Sequence, residues 1–504
     1  MRVEEVRRLL QDAAHQQVAL WVEGGQLQYR APVGGLSATA RARLRSARES
    51  LIAELAQPEY VRGPRPGNLI ALPLEYAGWW TEAAGHLVTL NGTHFVCRVR
   101  GNVTVGDIQK AFARLPERHE LLRARAQIID QVPYLQFAQP RSCQPVICDL
   151  SAANALQTSR IIEQAIWREF GDGQLFRCFI FRVAPGDYLC GFVFNHCLGD
   201  LHSCNILARD ALSAASGEAD QCPNPLQFCD YLRGRERWYR GEILRYRMQF
   251  WSDRLAGAEP VQLPGSCDIN PRQSYVLETA PFEVTAAQRQ RLVALAEDAG
   301  VSMLILVLAA MFVAVAALAK RDDLLMTIIV SGRDQPALLD MIGTTVAYMP
   351  IRMKLADNQS LTDFLHQLQE EYSLCCRYRV PWDPILETLG CPGRVCISPL
   401  LNFIPEDQIG RDSPTPTPRV QELQIERVFV KRPVATGGGL LNAAPKMTIH
   451  DTGRALYGSL AFIREQSPGE LIQGFIETWM GSLERFAAGP DLRIGQILYA
   501  REPA

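Results

Sequence analysis

Apolar positions recur along this chain with two periods, one helical and one alternating. From Arg2 to Ala14, Val3, Val6, Leu9 and Leu10 fall at helical spacing. VALWVEGGQLQYRAP then holds two short runs, Val18–Val22 and Leu27–Arg30, around Glu23-Gly24-Gly25-Gln26. The paired glycines suit the positive φ of a two-residue turn, so a hairpin is predicted. Ser37 stands as an N-cap for a second helix running to Ala56, with Leu44, Ala47, Leu51 and Leu55 on one stripe. QPEYVRGPRPGN, residues 57 to 68, has three prolines and two glycines in twelve positions and reads as a linker.

From Asn68 onward, strand patterns alternate with long helical ones. THFVCRVRG (93–101), LFRCFIFRV (175–183), YLCGFVFNH (188–196), LLMTIIVSG (324–332) and ALYGSLAFI (455–463) read as strands; 151–170, 204–216 and 284–299 read as helices. This order predicts an α/β or α+β body, and 504 residues exceed what one core holds, so two lobes are expected. VSMLILVLAAMFVAVAALA (301–319) carries no charge and approaches the length of a membrane span. It stands alone between Glu297, Asp298 and Gly300 on one side and Lys320-Arg321-Asp322-Asp323 on the other, so a helix buried in protein is expected.

Composition narrows the partners. With 47% hydrophobic residues, 21% charged residues and a net charge of −2, nothing general draws the chain to nucleic acid or to an anionic membrane. MRVEEVRRLLQDAAHQQ lacks the apolar core of a secretion signal, which gives a cytoplasmic address. The fourteen cysteines are scattered without a C-x-x-C pair, and neither Cys391/Cys396 nor Cys143/Cys148 has the histidines a zinc site wants. They read as reduced, mostly buried thiols. Phosphate-loop, dinucleotide and G-x-S-x-G motifs are absent, and TGGGLLN (436–442) lacks the lysine and hydroxyl of a phosphate loop. No bound cofactor or metal is expected.

The candidate chemistry lies in GFVFNHCLGDLHS, residues 191 to 203. An apolar strand delivers His196 at its end, with Asp200 four residues on and His202 beyond it. A neutral imidazole there takes a proton from an amine or hydroxyl as it attacks an acyl carbonyl. No serine or cysteine activated by a base stands nearby, so direct acyl transfer suits the segment better than a covalent acyl-enzyme. The first 57 residues are too few for a stable enzyme and suit binding instead. Arg41, Arg43, Arg45 and Arg48 crowd their last helix, and the hairpin bearing Trp21 and Leu27 offers an open edge for a peptide.

FNHCLGDLHS resembles the H-H-x-x-x-D-G segment of nonribosomal peptide synthetase condensation domains, which are grouped with chloramphenicol acetyltransferase-like acyltransferases. Further segments follow in the family's order: LPLEYAGWW (72–80), RHELLRAR (118–125), SGRDQPALLDMIGTTVAYMPIRM (331–353), VPWDPILE (380–387) and ISPLLNF (397–403). The N-terminal unit is similar to the β-hairpin docking domains of the tubulysin type. The resemblance implies a docking domain over 1–57, a linker over 58–67, and two acyltransferase-like lobes over 68–258 and 259–504 in a V-shaped pseudo-dimer with a tunnel between them.

It also implies roles. His196 matches the catalytic second histidine, Asp200 the residue that holds the loop, Arg333 its salt-bridge partner, and Arg118 and Arg123 structural arginines. Asn195 replaces the first histidine, and Leu201, two residues before Ser203, replaces the motif's glycine. Leucine resists the positive φ that glycine allows and adds bulk where backbone could approach the thioester, which leaves the donor geometry open. His202 has no counterpart in the motif; a second polar group at the site and a surface or core position are both open. Ala347-Tyr348 replaces an Asn-Thr pair. The implied function is a free-standing condensation enzyme of a nonribosomal peptide or hybrid polyketide pathway, with nothing attached after residue 504. It would transfer an acyl chain from a carrier-protein phosphopantetheine thioester to a free or carrier-bound amine or hydroxyl. The implied partner is an acyl or peptidyl carrier protein with a short C-terminal docking tail. A noncatalytic docking scaffold and a coenzyme A-dependent acyltransferase are the alternatives.

Overall fold

The computed structural model describes residues 2–16, 18–23, 25–31, 37–56, 58–63, 69–72, 92–130, 132–137, 144–167, 175–215, 224–261, 263, 277–391, 399–405, 424–428, 445–464, 469–489 and 492–498. LPLEYAGWW beyond Leu72, the glycine run 436–442 and the first two residues of ISPLLNF lie outside them.

The amphipathic N-terminus forms α1 (Val3–His15), which buries Val3, Val6, Leu9 and Ala13. The hairpin is β1 (Ala19–Glu23) and β2 (Gln26–Arg30), with Glu23 opposite Gln26 and Gly25 at φ 72° in the turn. Ser37 Oγ accepts from the Ala40 amide at 3.0 Å, capping the following helix. The single helix expected up to Ala56 is two, α2 (Ala38–Ser46) and α3 (Arg48–Leu55), which meet at Ala47 with φ −93° and ψ 4°. Leu44, Ala47 and Leu51 are all buried across the break, and the Ala47 and Leu51 amides still donate to the carbonyls of Arg43 and Ala47.

This unit is seated on the body. Its core is continuous with Tyr246, Phe250 and Trp251 of the helix Gly241–Leu255. Glu54 of α3 is buried there, accepting from the Tyr246 hydroxyl at 2.9 Å and the Tyr378 hydroxyl at 2.6 Å, and pairing with Arg377 at 2.6 Å. A buried carboxylate is tolerated because it is paired and hydrogen-bonded. The stretch 58–63 is likewise held down. Tyr60 packs on Tyr231 at 5.4 Å between ring centroids, and a Cβ at Gly234 would sit 2.5 Å from the Tyr60 ring.

Three sheets follow, their strands numbered in chain order. β3 (Leu69–Ala71), β5 (Ala124–Ile129) and β6 (Val132–Phe137) form a small one, ordered β3-β6-β5. The second contains β4 (Gly92–Arg100), β7 (Val146–Asp149), β8 (Phe176–Ala184), β9 (Asp187–Asn195) and β14 (Gln424–Arg427), ordered β14-β4-β9-β8-β7. The third contains β10 (Leu277–Val284), β11 (Asp323–Val330), β12 (Ala347–Lys354), β13 (Leu400–Ile404), β15 (Lys446–Asp451) and β16 (Leu456–Ile463), ordered β10-β16-β15-β13-β11-β12. β14, a segment late in the chain, pairs with β4 at the edge of the second sheet, Ile425 opposite Val99.

β9 is buried on both faces, which is why it reads as a continuous apolar run. Cys190, Phe192 and Phe194 enter one core with Phe112, while Leu189 and Val193 enter another with Ile162 and Phe179. The charge-free stretch forms the helix Met303–Ala319, buried from Ile305 to Ala316, after Gly300 at φ 64° ends the helix Ala286–Ala299. Among the described residues, no single helix is long and apolar enough to cross a membrane. Ten described cysteines are free thiols, seven of them buried.

Candidate active site

β9 runs into a turn that its own last side chain holds. Asn195, 2% exposed, accepts from the Cys197 amide at 3.0 Å and so caps the 3-10 turn His196–Leu198. Asparagine at the altered motif position therefore fixes the turn, as its short side-chain acceptor allows. His196 opens that turn, half-buried. Gly199 follows in extended backbone, and a Cβ there would lie 2.6 Å from the Ser203 Cβ, so close approach explains this glycine.

The third sheet supplies the other side of the site, through the connection between β11 and β12. Thr344 Oγ1 donates to the His196 carbonyl at 2.9 Å. Arg333, its side chain 3% exposed, donates to Asp200 at 3.0 and 3.2 Å and to the carbonyls of Leu338, Met341 and Gly343 at 2.5, 2.7 and 2.9 Å. Asp200 also accepts from the Ser203 amide at 2.8 Å and the Ser203 hydroxyl at 2.7 Å. Burial pushes the Asp200 carboxyl up, but the Arg333 charge and the Ser203 bonds outweigh it and hold the group below the usual carboxylate range. Its partners are Arg333, Ser203 and Thr345, so Asp200 fixes the turn and does not orient the imidazole. The fully buried Ser203 hydroxyl is committed to Asp200 and Gly343, which leaves it no role as a nucleophile.

Leu201 and His202 are placed by the start of one helix. Leu201 is the first residue of the helix Leu201–Ala215, and the positive-φ non-glycine residues described are Asp130 and Lys320. No positive φ is asked of leucine here, because the turn ends one residue earlier. His202 is no second group beside His196; its Nε2 donates to the Leu339 carbonyl at 2.8 Å, tying the helix start to the β11–β12 connection. Burial, followed by the nearby Arg333 charge, pushes its imidazole pKa down, consistent with a neutral ring. Tyr348, at the altered Asn-Thr position, packs near Trp382 at 5.8 Å.

The RHELLR segment braces the same helix. Arg118 Nε donates to Asp210 at 2.7 Å, His119 Nε2 donates to it at 2.8 Å, and Arg209 bridges Asp210 to Asp340. Arg123, half-buried at the end of its 3-10 turn, has its guanidinium pKa pushed down by burial. Burial pushes the Asp210 carboxyl up, yet the His119 bond and the flanking arginines bring it down to about 2 from 3.8. A carboxylate depressed in the folded state adds stability above its unfolded pKa and loses it as pH falls through the folded one. Asp210→Asn should therefore be less stable by about 2 kcal/mol at pH 7, with the difference shrinking between about pH 4 and pH 2. Urea midpoints at pH 7 and pH 2.5 check this; an equal gap at both would refute it.

Thr344 and Asp210 carry no mark in the sequence, one lying in an ordinary Thr-Thr pair and the other inside a helix. Their partners are 148 and 91 to 92 positions away, which local spacing does not reveal. Among the described residues, no cluster of three or more histidine, cysteine or acidic side chains could hold a metal ion. On the N-terminal unit, Arg41, Arg43, Arg45 and Arg48 are exposed, Arg43 near Asp12 at 3.6 Å and Arg48 bonded to Gln26. Trp21 is 38% exposed on the hairpin, and Leu27 is partly buried against the unit's core.

A family model of the condensation domain matches residues 92–502, and one of the TubC N-terminal docking domain matches residues 6–57. One of the linear gramicidin synthase proteins of Brevibacillus parabrevis is 23% identical over 448 residues, which are 86% of this chain and 9% of that protein. Isonitrile lipopeptide synthase of Mycobacterium tuberculosis is 23% identical over 449 residues, 85% of this chain and 18% of its own length. The chain thus spans a small part of these relatives. A structure of the condensation domain that mediates chain release from the enacyloxin polyketide synthase aligns with TM-score 0.68 and 20% identity over 99% of this chain and 98% of that one. The EpoB cyclization-docking bidomain of Sorangium cellulosum aligns with TM-score 0.65 and 17% identity over 96% and 99%. Those likenesses establish the fold, docking unit included. With its matched span running from the first strand of the His196 sheet almost to the C-terminus, the chain belongs to the condensation-domain family.

Proposed function

We propose that the chain is an acyltransferase that moves an acyl group from a carrier-protein phosphopantetheine thioester to an amine or hydroxyl. The observation that supports it is the His196 turn, fixed from within by Asn195 and from the opposite sheet by Thr344 and the Arg333–Asp200 pair. A geometry held that firmly around a half-buried imidazole suits catalysis better than bare scaffolding. The imidazole takes the proton of the attacking amine or hydroxyl as its nitrogen or oxygen bonds to the thioester carbonyl carbon. Collapse of the tetrahedral intermediate breaks the carbon–sulfur bond, and the proton passes to the departing thiolate. An amide or ester and a free carrier thiol result. Intact mass spectrometry of an acyl-loaded carrier, incubated with the protein and a mixture of amino and hydroxy acids, tests this. Matching product masses are expected; unloading that ignores His196 would favour the scaffold, and equal rates from acyl-coenzyme A would change the donor class.

We further infer that the N-terminal unit receives an acidic tail of the donor carrier along the hairpin edge, beside the arginines of α2 and α3. Arg41 and Arg45 are exposed, so the contact should weaken with salt. Arg41→Glu with Arg45→Glu should weaken tail binding about tenfold in a titration, and no change would rule out the arginine face. Full-length point variants are the right probe. Removing residues 1 to 57 would uncover Phe250 and strip Tyr246 and Tyr378 of Glu54, harming the fold itself.

A further inference from the structure

The peptide unit that joins His196 to Cys197 is held by three hydrogen bonds. Its carbonyl accepts from Thr344 Oγ1 at 2.9 Å and from the Gly199 amide at 3.2 Å, and its N–H donates to Asn195 Oδ1 at 3.0 Å. A carbonyl oxygen has two lone pairs, so this one is filled. The unit is planar, and holding its plane holds ψ of His196. One residue earlier the Asn195 amide donates to the Leu175 carbonyl at 2.8 Å, which anchors the end of β9. The rotamer open to a side chain depends on its φ and ψ, so these bonds set the direction of the imidazole.

Asn195 and Gly199 belong to the turn and its strand, whereas Thr344 comes from the β11–β12 connection. Arg333 and Thr345 of that connection bond Asp200; Thr344 bonds His196 itself. Its own backbone has little play. Before it, the Gly343 amide donates to Ser203 Oγ at 3.1 Å and the Gly343 carbonyl accepts from Arg333 at 2.9 Å. Gly343 has φ 148°, and a Cβ there would sit 2.2 Å from the Phe228 ring, so glycine lets the connection come this close to the helix Phe228–Trp238. After it, Thr345 Oγ1 donates to the Ser331 carbonyl at 2.7 Å. Thr344 is 1% exposed, and its β-branched side chain is stiff at χ1. We propose that Thr344 is a positioning residue for the acyl transfer: its hydroxyl holds the His196 peptide unit, and through it the imidazole, at the angle at which the ring meets the attacking amine or hydroxyl. The assignment rests on the acyl-transfer reading above. The Thr344 hydroxyl is committed to a carbonyl and touches no substrate in this role, so its loss falls on turnover and not on binding.

Thr344→Val keeps the branched shape and removes the hydroxyl, and Thr344→Ser keeps the hydroxyl and removes a methyl. In the full chain with an acyl-loaded carrier, Thr344→Val should lower kcat about ten- to a hundredfold with KM for the carrier within about twofold, and Thr344→Ser should return kcat to within about threefold of the intact protein. Melting midpoints report whether each variant folds, and Thr344→Ala takes the place of Thr344→Val if that one does not. NMR of histidine-labelled protein reads the ring directly, the His196 signal being the one lost in His196→Ala; Thr344→Val should move it and Thr344→Ser should leave it in place. A folded Thr344→Val protein with kcat and the His196 signal unchanged would overturn the assignment, whether or not its melting midpoint fell. A Thr344→Ser protein as slow as Thr344→Val would overturn it too, since packing of the methyl would then matter and not the hydroxyl. If the intact protein transfers no acyl group, the acyl-transfer reading fails, and the ring signal decides the rest. A signal moved by valine and restored by serine would still support the hold of Thr344 on the imidazole, and an unmoved one would overturn that as well.

Discussion

His196→Ala should unload an acyl carrier about a hundred to ten thousand times more slowly than the intact protein, the range that a positioned general base contributes. That corresponds to about 3 to 5 kcal/mol of barrier. The fold should survive, because the turn is held by the His196 carbonyl, the Asn195 side chain and the Asp200–Arg333 pair, none of which the substitution removes. A melting midpoint within about 2 °C of the intact protein, alongside lost turnover, would separate chemistry from stability. Intact masses of the carrier over time give the rate. Equal rates would mean that the imidazole does no chemistry and that the chain serves as a scaffold for carriers.

What the sequence reveals of this site depends on how far apart the partners lie. His196 and Asp200 stand out because a strand with both faces buried ends at them, and that pattern is local. The hairpin is legible for the same reason, since its turn glycines lie between its strands. Helix starts such as Ser37 follow from the cap chemistry of a single residue. The clamp on the site is different in kind. Thr344 and Arg333 reach the His196 loop across 148 and 133 positions, and only family resemblance could point to Arg333. β14 is four residues, Gln-Ile-Glu-Arg, with one apolar side chain, so it takes its strand identity from pairing with β4. The break at Ala47 has no glycine or proline to announce it. Leu201 shows the converse, where a departure from the family motif points to a positive φ that the actual helix start does not require.

Arg333→Ala should cost about 3 to 5 kcal/mol of stability, because it leaves the Asp200 carboxylate buried without its counter-ion. The carbonyls of Leu338, Met341 and Gly343 lose their donor in the same step, which adds to the cost. Arg333→Lys should rescue little. One ammonium group cannot span a carboxylate and three carbonyls that the planar guanidinium meets with two nitrogens. The double variant Arg333→Met with Asp200→Leu should be less destabilised than the two single variants summed, since no charge is then left alone. Acid should also narrow the gap between Arg333→Ala and the intact protein. The Asp200 carboxyl, depressed in the intact fold, supplies stability above the ordinary carboxylate range and loses it on acidification, whereas in the variant the Ser203 bonds oppose burial without the Arg333 charge and the group takes up its proton earlier. Urea midpoints at pH 7 and pH 4 for these variants, Arg333→Met and Asp200→Leu alone included, measure all of this. An Arg333→Ala protein as stable as the intact chain at pH 7 would show that the turn presenting His196 is held by its local bonds, Asn195 and Thr344 among them, and that the ion pair across the two sheets is dispensable.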